Sequence, residues 1–165
     1  MTWNDRQQRF IEWAEAYDNL LWKVARSFAA GADQDDLHQE LLLALWQAIP
    51  AFRGDARGST FVYRVAYNYA LMRNRKRRLP EVALDRAPER ANPEGTDEEE
   101  TRLELMYSHI RALPAVDRTL VLLYLDEVPY REMAEVLGIT ESNVGVRLNR
   151  VKKQLAEQIN EVSRA

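Results

Sequence analysis

The stretch Tyr130-Arg131-Glu132-Met133-Ala134-Glu135-Val136-Leu137-Gly138-Ile139-Thr140-Glu141-Ser142-Asn143-Val144-Gly145-Val146-Arg147-Leu148 decides the fold of the C-terminal part of this chain. Ala134, Gly138 and Val144 stand at the spacing of a helix-turn-helix. Alanine lets two helices cross closely, glycine accepts the left-handed turn, and the valine anchors the second helix in the core. Thr140 is a suitable N-cap, and Glu141 puts a carboxylate at the positive end of the helix that follows. In that helix Val144, Leu148, Val151 and Leu155 form an inward stripe. Glu141, Ser142, Asn143, Arg147, Arg150 and Lys153 are left for solvent or for DNA. No acid occurs from Ser142 to Ala156, which favours a helix read into a major groove over a merely solvated helical hairpin.

Working outward, Pro129 and Pro114 stand where a first-turn proline is tolerated. They give four helices after residue 101: about 102–112, 114–125, 129–137 and 141–161. Residues 79–101 contain Pro80, Pro88, Pro93 and Gly95 and the acidic cluster Glu94, Asp97, Glu98, Glu99 and Glu100. They are expected to form a flexible acidic linker. Before it lie three helical patterns. The first carries Phe10, Trp13, Ala14, Tyr17, Leu20, Leu21 and Val24; the second Leu37, Leu41, Leu45 and Ile49; the third Phe61, Val65, Tyr69 and Met72. No strand signal is found. The expected fold is all-α, with two small helical domains at 1–78 and 102–165 joined by the linker at 79–101.

A net charge of −3 argues against nucleic-acid binding until the charges are mapped. From Ala56 to Pro80 there is no acid, while Arg57, Arg64, Arg73, Arg75, Lys76, Arg77 and Arg78 are basic. Tyr63 and Tyr67 lie one turn apart beside Arg64 and Asn68, a pattern suited to stacking on single-stranded DNA in a positive channel. A role in the core is the equal alternative for either tyrosine. The absence of cysteine excludes disulfides, thiolate zinc sites and cysteine nucleophiles. His38 and His109 lie in different halves without metal-ligand spacing, so no metal and no cofactor is expected. No phosphate loop or nucleophile–base pair is visible, so no catalytic residue and no enzyme activity is expected. No apolar run nears the roughly 20 residues a spanning helix needs, and a cytoplasmic protein without membrane insertion is expected.

Asp36, Gln39, Glu40, Leu43 and Gln47 share one face of the second pattern, with Asp35 beside them. Carboxylates and amides around one leucine outside the apolar stripe suit docking onto a basic helical partner, while for this segment taken alone an ordinary solvated helix face is the favoured alternative. The blocks Asp33 to Glu40, Trp46, Phe52-Arg53-Gly54 and Phe61-Val62-Tyr63-Arg64-Val65-Ala66-Tyr67-Asn68 resemble region 2 of the extracytoplasmic-function group of the sigma-70 family. Ala112-Leu113-Pro114, Tyr130 to Ala134 and Val144 to Leu148 resemble region 4 of the same group. Phe61 stands where that group usually has tryptophan, Gly58 where a bulky residue is common, and Met72 where an aspartate is common.

The resemblance implies an alternative sigma factor that carries RNA polymerase core to promoter DNA. Asp35, Asp36, Gln39, Glu40, Leu43 and Gln47 would bind the clamp helices of the largest subunit. Arg53, Arg57, Ser59, Thr60, Tyr63, Arg64, Tyr67, Asn68 and Arg75 would capture the unpaired minus-10 element. Tyr130, Glu141, Ser142, Asn143, Arg147, Arg150 and Lys153 would read the minus-35 element, in a region that also touches the polymerase flap. An anti-sigma factor is a further partner implied by family habit. The alternative is a stand-alone helix-turn-helix regulator that binds duplex operators, typically as a symmetric dimer.

Overall fold

A computed structural model describes residues 1–78 and 98–165. Among these the protein is all-α, with eight α-helices and no strand. Most of the expected linker, residues 79–97, lies outside the described residues.

The first expected pattern is two helices, not one: α1 (Trp3–Ala16) and α2 (Asp18–Phe28). The capping box at the start of α1 pairs the Thr2 hydroxyl with the Asp5 N–H and the Asp5 carboxylate with the Thr2 N–H. At Tyr17 the backbone leaves helical geometry (φ −112°, ψ 14°), although the apolar spacing runs on across the break. The periodicity that joins Trp13 to Leu20 therefore marks a shared inner side, not a continuous helix. α3 (Asp33–Ala48) follows, then a short 3-10 turn at Ile49–Ala51, then α4 (Gly58–Arg78). The N-terminal half thus has four helices where three are expected.

Gly58 opens α4 under the aromatic group of Trp13, Tyr17, Phe52 and Phe61. A Cβ there would meet the Tyr17 hydroxyl at 2.5 Å and Trp13 at 3.4 Å. Phe61 packs edge-on to Phe52 (5.1 Å between centroids) and tilted against Trp13 (5.9 Å). The departures at Gly58 and Phe61 are therefore one packing solution: the corner leaves no room for a side chain at position 58.

In the C-terminal half, α5 (Glu98–Arg111) begins four residues before the expected boundary. Glu98, Glu99 and Glu100 fill its first turn, where carboxylates favour a helix N-terminus, so part of the acidic cluster is helix, not linker. α6 (Ala115–Leu125), α7 (Tyr130–Leu137) and α8 (Glu141–Arg164) follow the expected order. Gly138 caps α7 in the left-handed conformation (φ +66°), and the Thr140 side chain accepts the Asn143 N–H at 3.1 Å at the start of α8.

The two halves are packed together. Buried residues of both, among them Leu21, Leu37, Leu41 and Leu45 with Ile110, Leu120, Met133 and Leu148, form one contiguous cluster. α4 packs on α7, and α2 packs on α5 and α6. Arg111 donates to the Arg26 carbonyl at 2.9 Å, and the Arg118 guanidinium lies 5.1 Å from the Phe28 ring centre.

Candidate nucleic-acid interface

On α3 the inward stripe of Leu37, Leu41 and Leu45 is fully buried, which turns the opposite side outward. Asp35, Asp36, Gln39 and Gln47 are exposed, and Leu43 is 56% exposed. Glu40 differs from its neighbours. Its carboxylate takes an ion pair from Arg73 Nε at 2.6 Å and a hydrogen bond from the Tyr69 hydroxyl at 3.3 Å. Arg73 also forks onto Asp33 at 2.9 and 3.0 Å, and Arg77 joins the same carboxylate. Arg73, and then burial and Arg77, set the state of Asp33, and the net effect holds its carboxyl well below the usual carboxylate range. Two arginines of the basic run are thus spent on clamping α4 to α3 instead of facing a ligand.

The residues expected to capture the minus-10 strand divide. Arg53, Arg57, Asn68 and Arg75 are exposed, and Ser59 and Arg64 are half-buried. Thr60, Tyr63 and Tyr67 are buried at 3%, 2% and 5% exposure. The open tyrosine face expected from the sequence is closed in this structure. The cover comes from the C-terminal half: the Tyr63 hydroxyl donates to Asp126, and Thr60 donates to Glu132 at 2.8 Å. Arg57 Nε lies 3.3 Å from the same Glu132, and Lys23 pairs with Asp126. Burial first, then the Asp126 carboxylate, pushes the Tyr63 phenol far up; burial does the same to Tyr67. The Tyr63 hydroxyl is therefore the donor in its bond to Asp126.

The helix-turn-helix presents a different picture. Glu141, Ser142, Asn143, Arg150 and Lys153 are exposed on α8, and Tyr130 is exposed at the start of α7. Opposite the buried Val144, Leu148 and Val151 stands Val146, 65% exposed, with Asn149 exposed beside it. Arg147 is half-buried at the flank of this face. Its Nη1 donates at 3.0 Å to Asp117 of α6, a carboxylate only 3% exposed, which Arg150 also approaches at 3.8 Å.

Lys23, Asp117, Asp126 and Glu132, which organise these surfaces, carry no motif signal, because their partners lie far away in sequence. Val146 and Asn149 were legible from the register of the buried stripe: each falls opposite Val144 or Leu148 on a helical wheel. His38, by contrast, has a packing role, stacked on Trp22 (4.0 Å between centroids) and 2.9 Å from Asp18.

Residues 13–79 match the family model of sigma-70 region 2, and residues 103–155 match that of sigma-70 region 4. The chain is similar to the ECF RNA polymerase sigma factor SigW of Bacillus subtilis, with 26% identity over 94% of this chain and 91% of that one. It is similar also to the ECF RNA polymerase sigma-E factor of Escherichia coli, with 24% identity over 90% and 85% of the two chains. Two solved structures share the fold. CnrH in complex with the cytosolic domain of CnrY has a TM-score of 0.68 at 23% identity, covering 94% of this chain and 90% of that one. The sigma factor RpoE in complex with the anti-sigma factor NepR from Bartonella quintana has a TM-score of 0.69 at 19% identity, covering 93% and 98%.

Proposed function

The chain belongs to the extracytoplasmic-function group of the sigma-70 family, and from that premise we propose how its surfaces divide the work of an alternative sigma factor that brings RNA polymerase core to promoters. The observation that carries the reading is the presence, in order on one chain, of region 2 with an outward α3 face and region 4 with an outward, acid-poor α8 face.

Residues 1–78 act as the docking and minus-10 domain. Leu43 supplies apolar area to a helical partner while Asp35, Asp36, Gln39 and Gln47 set register by charge and hydrogen bonding. Glu40 contributes indirectly, because its carboxylate orients Arg73 and Tyr69. Arg53, Arg57, Ser59, Thr60, Tyr63, Arg64, Tyr67, Asn68 and Arg75 form the strand-binding face once the C-terminal half has moved off it. Stacking on two tyrosines one turn apart and phosphate contacts from the arginines are the chemistry that suits an unpaired strand.

Residues 102–165 form the minus-35 domain. Glu141, Ser142, Asn143, Arg150 and Lys153 meet the major groove and its phosphates, with Tyr130 and Arg147 at the flank. Val146 and Asn149 join this set: an exposed aliphatic side chain fits a thymine methyl, and an asparagine fits the paired donor and acceptor of adenine.

The protein works without a catalytic centre of its own, in the compartment where core polymerase resides. No described helix is long and apolar enough to cross a membrane. An anti-sigma protein is the natural further partner, since one structural neighbour is the sigma factor RpoE in complex with the anti-sigma factor NepR.

The decisive experiment is run-off transcription by purified core on a library of promoter fragments, with and without the protein. Promoter-dependent transcripts only in its presence are expected. Their absence on every template, together with tight unaided binding of a dimer to a palindrome, would replace this reading with that of a duplex-binding regulator.

A further inference from the structure

The contacts that close the molecule have a common chemistry. Each of two carboxylates of the C-terminal half takes one cation and one hydroxyl from the N-terminal half. Asp126 takes Lys23 and the Tyr63 hydroxyl; Glu132 takes Arg57 and the Thr60 hydroxyl. A cation on one oxygen of an anionic group and a hydroxyl on the other is a donor set that a nucleic-acid phosphate would use. Three of the N-terminal partners, Arg57, Thr60 and Tyr63, belong to the strand-binding face assigned above, and Lys23 adds a fourth from α2. Tyr63 and Tyr67, the two rings suited to base stacking, are buried on α4, which packs on α7 of the C-terminal half.

We infer that Asp126 and Glu132 act as a built-in competitor of single-stranded DNA: they occupy phosphate positions on the α2–α4 face, so the closed molecule excludes the strand and the strand opens the molecule. This rests on the assignment of that face to the unpaired minus-10 strand. It adds the identity of the intramolecular occupant and a reciprocal coupling between closure and strand binding. Because one surface cannot hold both anions, apparent strand affinity falls in proportion to the open fraction.

The chain contains no cysteine, so single cysteines at exposed Gln8 and Gln154 allow two dyes to report the separation of the halves by energy transfer. The ligand is a fluorescein-labelled 20-nucleotide single-stranded DNA pool of random sequence. For the full chain carrying Asp126→Asn and Glu132→Gln, the expected result is lower transfer and about tenfold tighter binding of the pool, the gain set by a closed state favoured by about that factor. The isosteric pair Glu12→Gln and Glu15→Gln changes net charge equally at exposed α1 positions and should alter neither reading. Saturating pool should lower transfer in the wild type.

Lys23→Gln with Tyr63→Phe opens the molecule from the other side and should lower transfer without the gain in affinity, since it removes two of the shared donors. Circular dichroism confirms that each variant is folded. Unchanged transfer in the folded Asp126/Glu132 variant overturns the closure, and lowered transfer without tighter binding overturns the competition. Run-off transcription by the same variant separates these failures from that of the sigma-factor reading, since promoter-dependent transcripts can persist when either prediction fails.

Discussion

Arg147→Ala is the substitution one would choose to test recognition by α8, and the structure shows that it also removes a structural contact. Asp117 is 3% exposed, and Arg147 Nη1 is its nearer cation at 3.0 Å; Arg150 stands at 3.8 Å. Truncating Arg147 leaves a covered carboxylate with only the longer contact. Breaking a fully buried pair costs roughly 3–5 kcal/mol, but the Arg147 side chain is 33% exposed and solvent screens it. The expected loss is about 1–2 kcal/mol, and at about 2–4 °C per kcal/mol for a chain of this size the melting temperature should fall by roughly 2–8 °C.

The proper measurement is a double-mutant cycle by urea denaturation. It uses wild type, Arg147→Ala, Asp117→Asn and the double variant. If the pair ties α8 to α6, the double variant should be more stable than the sum of the single losses implies, with a coupling of about 1 kcal/mol. Additivity within about 0.3 kcal/mol would refute the reasoning and would make Arg147 a residue whose only partner is DNA. Should the coupling appear, Asp117→Asn should also blunt promoter selectivity, because Asp117 then sets where the guanidinium sits before DNA arrives.

Further outcomes are expected from other parts of the fold. Leu43→Asp should weaken capture of polymerase core in a pull-down by at least an order of magnitude with little change in melting temperature, since the side chain is outward and its loss opens no cavity. Asp33→Asn should lower thermal stability at pH 7. The folded-state carboxyl titrates below its unfolded value near pH 3.9, so its contribution is complete above about pH 4. The gap between the melting temperatures of this variant and the wild type should narrow as pH falls below that point. Gly58→Val should destabilise the aromatic corner, seen as a loss of near-ultraviolet circular dichroism from Trp13, because its Cβ would meet the Tyr17 hydroxyl at 2.5 Å. Val146→Ser should relax preference for a thymine in the minus-35 element by about 1 kcal/mol in a competition binding assay with holoenzyme. Unaltered preference would move Val146 out of the groove.

What could be read from the sequence was whatever repeats at helical spacing or lies close along the chain. The turn at Gly138, the Thr140 cap and the buried stripe of α8 are local, and the stripe alone fixes which residues of that helix face outward. The break at Tyr17 was hidden because two consecutive helices present their apolar residues to the same core. The early start of α5 was hidden because a run of glutamates looks like a linker until it is seen to fill a helix's first turn. Roles assigned to single residues were harder. Glu40 and Arg73 looked like surface charges, and only their meeting across α3 and α4 makes them a clamp. Tyr63 and Tyr67 carry the pattern of a stacking platform and lie in a covered position, a conflict that composition cannot reveal because the covering residues are more than fifty positions away.

The uneven exposure of the α4 tyrosines and of the α8 face, the two surfaces proposed to meet DNA, has a consequence for a crowded cell. Messenger RNA, replication intermediates and transcription bubbles already in use all offer unpaired bases to any accessible aromatic pair. On the proposed assignment, a factor whose tyrosines lie under its own second half, while α8 stays outward, binds such decoys more weakly than an open one would and can still sample double helix. A partner that draws the halves apart would remove the competing carboxylates, so the same strand would be held more tightly inside an assembly than by the closed factor alone.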